Sequence, residues 1–555
     1  MDQKRMLLAL ALSVGLMFGW VLLFGDKQQQ PQTQAPKPAA PAQKDARTKP
    51  APGGEAKTAT APAAPATQPK AAAPAAPAGR PVTVTTPLFI ATFNTTGGAL
   101  QKVVLKDYYN RPGKKGGHFA VLDLKKPEHL ALSLSLPQLG PQAETLAFAP
   151  SAESLNLTSG RQALTFSAVY QGVRIEKIYT FSAGSYAWNL QVRLTNNSGR
   201  KLELQPALNL TEDKNRADSA SYAFTGMQYI RDGKYFEEDG SDLNKKPSDG
   251  GAIKFMALSI PYFMGALVPL DPAGSAPIKR YVKGNEISPM MYASLVDSAL
   301  SLEAGHAAEL NYLVFYGPKD LKVLEPLGHD LARAVDFGWF DIIAKPMLAA
   351  LNFCDSFIGN YGLAIILVTL LTKLIFWPLT KKSYKSMKEM QKLQPHVAKI
   401  RERYKNDKQR MNQEIMQLYK TYKVNPAGGC LPMVVQIPVF IAFYKVLGSA
   451  IELRHAPFFL WINDLSVPDR LPIGFQIPYV GDGLPVLTLL MGASMFIQQK
   501  MTPTTGDPTQ AKMMMLMPVV FTVMFINFPA GLVLYWLVNN IFSIGQQYLT
   551  NRSKK

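Results

Sequence analysis

Apolar and polar residues fall along this chain in several distinct patterns. Met6 to Gly25 is an apolar run of about twenty residues, with Lys4 and Arg5 before it and "LLFGDK" at its end. A cleaved signal peptide has an apolar region of about 7–15 residues and a small-x-small cleavage site. This run is longer and its end is a poor site, so residues 1–25 predict an uncleaved signal-anchor helix with its basic end in the cytoplasm. Residues 26–80 ("PQTQAPKPAAPAQKDARTKPAPGG…") are mostly Pro, Ala, Gln, Thr and Lys with no apolar period. They predict a flexible, partly polyproline-II linker.

Residues 81–318 alternate. "PVTVTTPLFIATFN", "LTFSAVYQGVRIEKIYTF" and "YAWNLQVRLTNNSG" are rich in Val, Thr, Tyr and Phe, with turns such as "NTTGG" and "NNSGR" between them. Many short strands with such punctuation predict a large all-β sandwich. In residues 319–360, Asp341, Lys345, Asn352 and Asp355 fall on one side of a helix and Ile343, Met347, Leu351 and Phe357 on others. With Trp339 at its start, this predicts an amphipathic helix lying along a bilayer surface, with an ordinary soluble helix as the alternative.

Five apolar segments follow, at about 361–378, 430–451, 484–499, 513–527 and 531–549. Several are shorter than the roughly 20 residues that an upright helix needs to cross a bilayer. With the first anchor they make six spans. Between the first two of these five, Met390, Leu393, Val397, Ile400 and Tyr404 recur at spacings of three and four, as do Met411, Ile415, Leu418 and Tyr422. The polar turn at Asn406–Asp407 divides them, which predicts an antiparallel helical hairpin over 381–425 with a kink at Pro395. A short basic tail, 550–555, ends the chain.

The formal charge of +19 gains meaning from its placement. Residues 381–423 carry 13 Lys/Arg against 4 Asp/Glu, while 452–483 carry 2 against 4, and the tail "NRSKK" is basic. Positive charge marks the cytoplasmic side, so both termini and the hairpin are expected inside and the β-domain outside. Such charge also attracts anionic lipid or ribosomal RNA without reading nucleotide sequence. No Walker loop, His/Cys metal cluster or serine elbow is present. His118, His129 and His306 are scattered, and Cys354 and Cys430 offer neither a disulfide framework nor metal spacing. No cofactor, no metal and no bond-making enzyme is expected.

One residue breaks the apolar pattern. "GLAIILVTLLTKLIFWPLT" carries Lys373 with no acidic residue nearby, and a mid-bilayer charge costs roughly 2.5–3.5 kcal/mol on insertion scales. Lys381 lies eight residues on, so Lys373 is expected about 12 Å deep by helical rise, beyond simple snorkelling of its stem. Thr369 lies one turn from it. Gln436 falls in the third span, Ser494 and Gln498 share a face of the fourth, and Tyr535, Asn539 and Ser543 share a face of the sixth. Each alone is compatible with helix–helix hydrogen bonding. Together they predict a wet, positively charged cavity open to the cytoplasmic side. A channel or small-solute transporter, and a carbohydrate-binding or epimerase β-module on a membrane anchor, are the competing readings. No acidic residue lies inside the five spans, as an ion-coupled transporter would require.

"MQKLQPHVAKIRERYKNDKQRMNQEIMQLYKTYKVNPAGGCLPMVVQIPVFIAFYKVL", "APFFLWINDLS", "QKMTPTTGDPTQAKMMMLMPVVFTVMF" and "FPAGLVLYWLVNN" resemble the YidC/Oxa/Alb family of membrane protein insertases over residues 337–549. The anchor, linker and β-domain resemble the Gram-negative form of that family, whose periplasmic domain is a β-supersandwich. The resemblance implies a multi-pass inner-membrane insertase and chaperone, acting alone or with the Sec translocon. It implies a hydrated intramembrane groove and a cytoplasmic hairpin that meets nascent chains, ribosomes and the signal recognition particle. Lys373 stands at the family's arginine position and Thr369 at its threonine, and Trp536 at an aromatic position next to Tyr535. Lysine departs from arginine in that a desolvated lysine can lose its proton, so it serves as the cation where the groove is hydrated.

Overall fold

The computed structural model describes residues 79–216, 224–245, 249–272, 278–424, 431–478, 480–481, 483–501 and 508–552. The expected signal anchor, nearly all of the linker, Cys430 and the end of the basic tail lie outside the described residues.

Alternation builds the first half of the chain. In Val173–Ser182 every second residue is buried, which places Val173, Ile175, Lys177, Tyr179 and Phe181 on one face. This strand pairs with Arg161–Tyr170 and with Ala187–Asn196, antiparallel on both sides. The first hairpin closes through Gln171 and Gly172, at φ of 50° and 76°. Two successive positive φ values make a turn whose twist matches that of the strands. Asp232–Gly233 repeats the device between Gly226–Arg231 and Lys234–Asp239.

The strands assemble into a five-stranded sheet, a thirteen-stranded sheet and a two-stranded ribbon. Phe89 and Phe93 of the small sheet meet Phe166, Tyr179, Phe181 and Trp188 of the large one, with ring centroids 4.6–6.4 Å apart. This aromatic layer is the core of the expected all-β domain, whose strands run from Pro81 to Pro318.

Lys177 intrudes on that core. It is 0 % exposed, and its ammonium donates to the carbonyl oxygens of Gly97 (3.0 Å) and Leu132 (2.6 Å), beside the rings of Phe148 and Tyr179.

Helical turns connect the β-domain to the second half. Among the described residues nine longer helices follow: α1 (Asp341–Ile358), α2 (Tyr361–Ile375), α3 (Trp377–Lys392), α4 (Gln394–Arg403), α5 (Lys408–Thr421), α6 (Leu431–Ser449), α7 (Val486–Met501), α8 (Pro508–Phe525) and α9 (Ala530–Arg552). The α2 N-terminus is capped by the Asn360 side chain, which accepts from the Leu363 amide at 3.0 Å. After α6, the Arg454 guanidinium lies over the rings of Phe119 (4.8 Å) and Phe263 (5.4 Å) and donates to the Tyr109 carbonyl (2.9 Å), which ties this loop to the β-domain.

The segment 361–378 departs from its expectation as one straight helix. Pro378 lacks the amide that would bond to the Leu374 carbonyl, and its ring presses on that carbonyl. The helix stops at Phe376 and restarts as α3, bent by 63°. A depth for Lys373 counted along a straight helix to Lys381 therefore does not hold. Among the described residues no single helix is long and apolar enough to cross a membrane, whereas the bent pair α2–α3 passes by length and composition together. At Pro395 the chain likewise breaks at Leu393 instead of kinking, with the proline in the first turn of α4. Beyond the Asp407 cap of α5, Met390, Leu393, Val397 and Tyr419 join in a small apolar cluster between α3–α4 and α5.

Desolvation holds the Lys177 ammonium down, to about 7 from the ordinary 10.5. Between these two pH values the unfolded chain binds a proton that the folded one does not. Stability therefore rises with pH through that window, by up to about 1.4 kcal/mol per unit, and the penalty is complete below pH ~7. The difference in unfolding free energy between wild type and Lys177→Met should shift in favour of wild type as pH rises from 7 to 10. Denaturant unfolding of the full chain in micelles, read by proteolysis of the Val173–Ser182 hairpin, measures it. A pH-independent difference would show that Lys177 keeps its proton when folded.

Candidate functional site

The bend at Phe376 opens an angle between α2 and α3, and α6 and α9 close its sides. The cleft holds about 400 Å³ of space not filled by protein atoms and open in part to solvent; its walls include Lys373, Phe376, Leu379, Gln436, Tyr535 and Asn539. Lys373 reaches it from the last turn of α2, where the exposed carbonyl ends of the helix favour a cation.

The polar groups in the cleft form a chain. Lys373 Nζ donates to Ser543 Oγ at 2.8 Å, and the Ser543 hydroxyl donates to the Asn539 carbonyl at 2.8 Å. The Gln436 amide of α6 donates to Asn539 Oδ1. Tyr535, Asn539 and Ser543 are spaced by four, so one face of α9 presents all three. Among the described residues no carboxylate forms an ion pair with Lys373, whose ammonium has three donors.

Five of the nine residues singled out in the sequence thus come together: Lys373, Gln436, Tyr535, Asn539 and Ser543. The other four, Thr369, Trp536, Gln498 and Ser494, are not among the residues of the cleft wall. Thr369 is buried and its hydroxyl donates to the Ile365 carbonyl of its own helix at 2.6 Å. Trp536 meets Phe440 edge-on (4.7 Å, 88°) and Phe525 (5.3 Å), one step round α9 from the cleft. Gln498 is half-buried on α7 and is not among the residues of the cleft wall. Its neighbour Ser494 accepts from Asn540 at 3.0 Å, and Gln547 donates to the Met501 carbonyl at 2.7 Å. A second polar seam therefore joins α7 to α9. Asn540 and Gln547 are seven apart and adjoin the face read from the sequence, so the same period would have found them. Thr372 and Thr380 also line the cleft, with hydroxyls bonded to Val368 and Phe376 of their own helices.

Outside the cleft, α1 carries the Asp341–Lys345 ion pair (2.8 Å), and Asn352 links Glu452 (3.2 Å) and Tyr361 (3.0 Å). Its outward side is apolar, with Ile342, Phe353 and Phe357 exposed and Trp339 just before it.

Comparison with known proteins covers both halves. The family described as "60Kd inner membrane protein" matches residues 353–555, and the family described as "YidC periplasmic domain" matches residues 81–350. A membrane protein insertase YidC from Syntrophus aciditrophicus is 44% identical over 480 residues, 85% of either chain. The same-named protein from Geobacter sulfurreducens is 42% identical over 556 residues, 99% of this chain and 98% of that one. A crystal structure of an active YidC insertase with its first transmembrane domain resolved matches 85% of this chain and 95% of its own at 17% identity, with a TM-score of 0.35.

The Gln436–Asn539 bond can be weighed by a double-mutant cycle. Gln436→Leu, Asn539→Leu and the double variant should show a coupling of about 0.6 kcal/mol, at most about 2, the range for hydrogen bonds between membrane helices. Thermal or denaturant unfolding in micelles reads it, and zero coupling would mean that the folded protein does not use the bond.

Proposed function

The chain belongs to the YidC family of membrane protein insertases, and from that membership we propose that the Lys373 cleft is where the polar segment of an incoming membrane protein is received. The family is one of inner-membrane proteins with a periplasmic domain, which assigns the β-domain to that side. Its substrates are nascent membrane proteins.

The observation that carries the reading is a cation at the end of an apolar helix whose hydrogen-bond partner among the described residues is a neutral hydroxyl, Ser543, in a cleft open in part to solvent. A substrate carboxylate entering the cleft exchanges that weak partner for a charge-assisted bond, which is shorter and stronger. The cleft also shortens the distance that a polar segment crosses without water, and so lowers a barrier set by burying unsatisfied polar groups. The apolar part of the substrate then moves along the helices into lipid. Exposed Val519, Val520, Val523 and Met524 on α8, and Leu489 and Leu490 on α7, offer it an apolar surface.

In this reading residues 6–25, the bent pair α2–α3, α6, α7, α8 and α9 make six spans with both termini cytoplasmic. The basic excess over 381–423 puts α4 and α5 in the cytoplasm as a hairpin that meets substrates, ribosomes and the signal recognition particle. The outward apolar side of α1 lies at the lipid headgroups. The protein acts as insertase and chaperone, alone or beside the Sec translocon, and makes no covalent bond.

Proteoliposomes carrying wild type, Lys373→Arg, Lys373→Ala or Lys373→Glu, challenged with a short single-span protein bearing an acidic tail, test the proposal. Arginine should insert at close to the wild-type rate, while Ala and Glu should lose roughly ten-fold or more, the equivalent of about 1.4 kcal/mol. Equal insertion by all four would remove Lys373 from the mechanism.

A further inference from the structure

The loop between α6 and α7 contains seven consecutive apolar residues, Ala456 to Ile462, "APFFLWI". They fold as a tight turn. The Phe458 amide donates to the Ile462 carbonyl (2.9 Å), the Ile462 amide to Phe459 (3.1 Å), and the Leu465 amide back to Ala456 (2.9 Å). The base is fixed by two carboxylates. Asp464 accepts from the His455 amide (3.1 Å), the Ser466 amide (2.8 Å) and the Ser466 hydroxyl (2.6 Å). Asp469 accepts from the Trp461 indole (2.5 Å) and, through its other oxygen, from the Leu487 amide in the first turn of α7 (2.6 Å).

The turn is seated on the ends of the helices. Phe458 occupies the space beside Gly362 in the first turn of α2, where a β-carbon would stand 2.0 Å from the ring. The Leu465 carbonyl accepts from the Gly531 amide at the start of α9 (2.9 Å). With its base so rigid, the tip is set at a fixed height over α2, α7 and α9.

What the tip presents is unusual for water. Leu460 is 85 % exposed, with Phe459 half exposed beside it. Leu460 also has φ of 59°, a left-handed conformation that strains a leucine and that glycine would adopt without strain. A strained, exposed leucine at the apex of an all-apolar turn lowers the energy only where something apolar covers it. Lipid is the covering that fits this height. Below the tip the outward sides of α2 and α7 are apolar, with Leu367 and Leu490 exposed, so the hydrocarbon level begins within the first turns of the helices. Trp461 and Phe459 are the amphipathic and aromatic types that concentrate at membrane–water boundaries.

We propose that the Phe459–Leu460 tip is a membrane-interface anchor that enters the periplasmic leaflet at the boundary of headgroups and acyl chains and fixes the depth of α2 and α9. The proposal rests on the reading of the helices as spans, and the test separates the two. Leu460→Cys is made in a Cys354→Ser, Cys430→Ser background, labelled with an environment-sensitive fluorophore and reconstituted in phosphatidylethanolamine–phosphatidylglycerol vesicles. The same label at Leu490 reports the hydrocarbon level and at Gln171, in the exposed β-domain turn, water. At 460, a nitroxide near the lipid headgroup should quench roughly three-fold more than aqueous iodide or a mid-chain nitroxide, while 171 answers to iodide alone. Iodide quenching at 460 equal to that at 171 overturns the anchor. Protection at 460 from both iodide and lipid nitroxides also overturns it, because protein then covers the tip. Iodide quenching at 490 overturns the spans themselves, whatever 460 does. Phe459→Cys gives the same depth reading if the Leu460 variant does not fold.

Discussion

The cleft of the helical half is organised around Lys373, which has no carboxylate partner among the described residues. Lys373 stands at the end of an apolar helix, where a cation must be hydrated, paired or neutralised. The carbonyl end of α2 returns only about 0.3–1 kcal/mol of its cost. Ser543 supplies one acceptor, and its own hydroxyl proton is already committed to the Asn539 carbonyl. Asn539 is in turn occupied by Gln436. The neighbours are therefore mutually satisfied, and the ammonium has donors to spare toward the cleft. A buried arrangement with every donor paired would make a stable core and a poor receiver. Here the Lys373 ammonium lines the cleft with its neutral neighbours already bonded to one another.

Pro378 decides where the open space lies. A straight continuation of α2 would have carried Leu379 and Thr380 along the same axis, away from Lys373. The 63° break swings them round to become the cleft's opposite wall. The proline thus acts on geometry at a distance from its own side chain, through the amide that it lacks. A substitution there that allowed the helix to run on would close the angle without touching the lysine.

A change of helix axis of this kind is not written in the spacing of residues along the chain. The α9 face was legible because Tyr535, Asn539 and Ser543 share a helical period, which puts them on one side of an otherwise apolar helix. The β-domain was legible from alternation, and even the odd member, Lys177, falls where alternation places it. What failed to read were effects that depend on an axis changing direction or on a neighbour one step round a helix. Lys373 was given a depth on a helix that does not stay straight. Thr369 was grouped with it by spacing, but a threonine can close its hydroxyl on its own backbone, and here it bonds to Ile365. Trp536 came from resemblance alone, and a 100° step round α9 separates it from the cleft.

The two ends of the helical core are built on opposite principles, and this bears on what the cleft can be. Above the polar chain, Tyr535 stacks on Phe443 at 4.3 Å, and Phe440, Trp536 and Phe525 continue the aromatic packing at 4.7–5.3 Å. Higher still, the turn at Phe458 sits against Gly362, and Thr522 stands where a side chain at Gly492 would be, 2.1 Å from its β-carbon. Among the described residues of α2, α6 and α9, close-packed rings and small-residue crossings continue beyond the polar chain, while the Ser494–Asn540 polar seam runs between α7 and α9. A transporter needs a path that opens to each side in turn. A receiver for polar segments needs the reverse: a pocket wet at one end, sealed at the other, and free of competing counter-charge. In the proposed reading that asymmetry comes from the polar groups gathered around Lys373 and the aromatic packing beside them on α6 and α9.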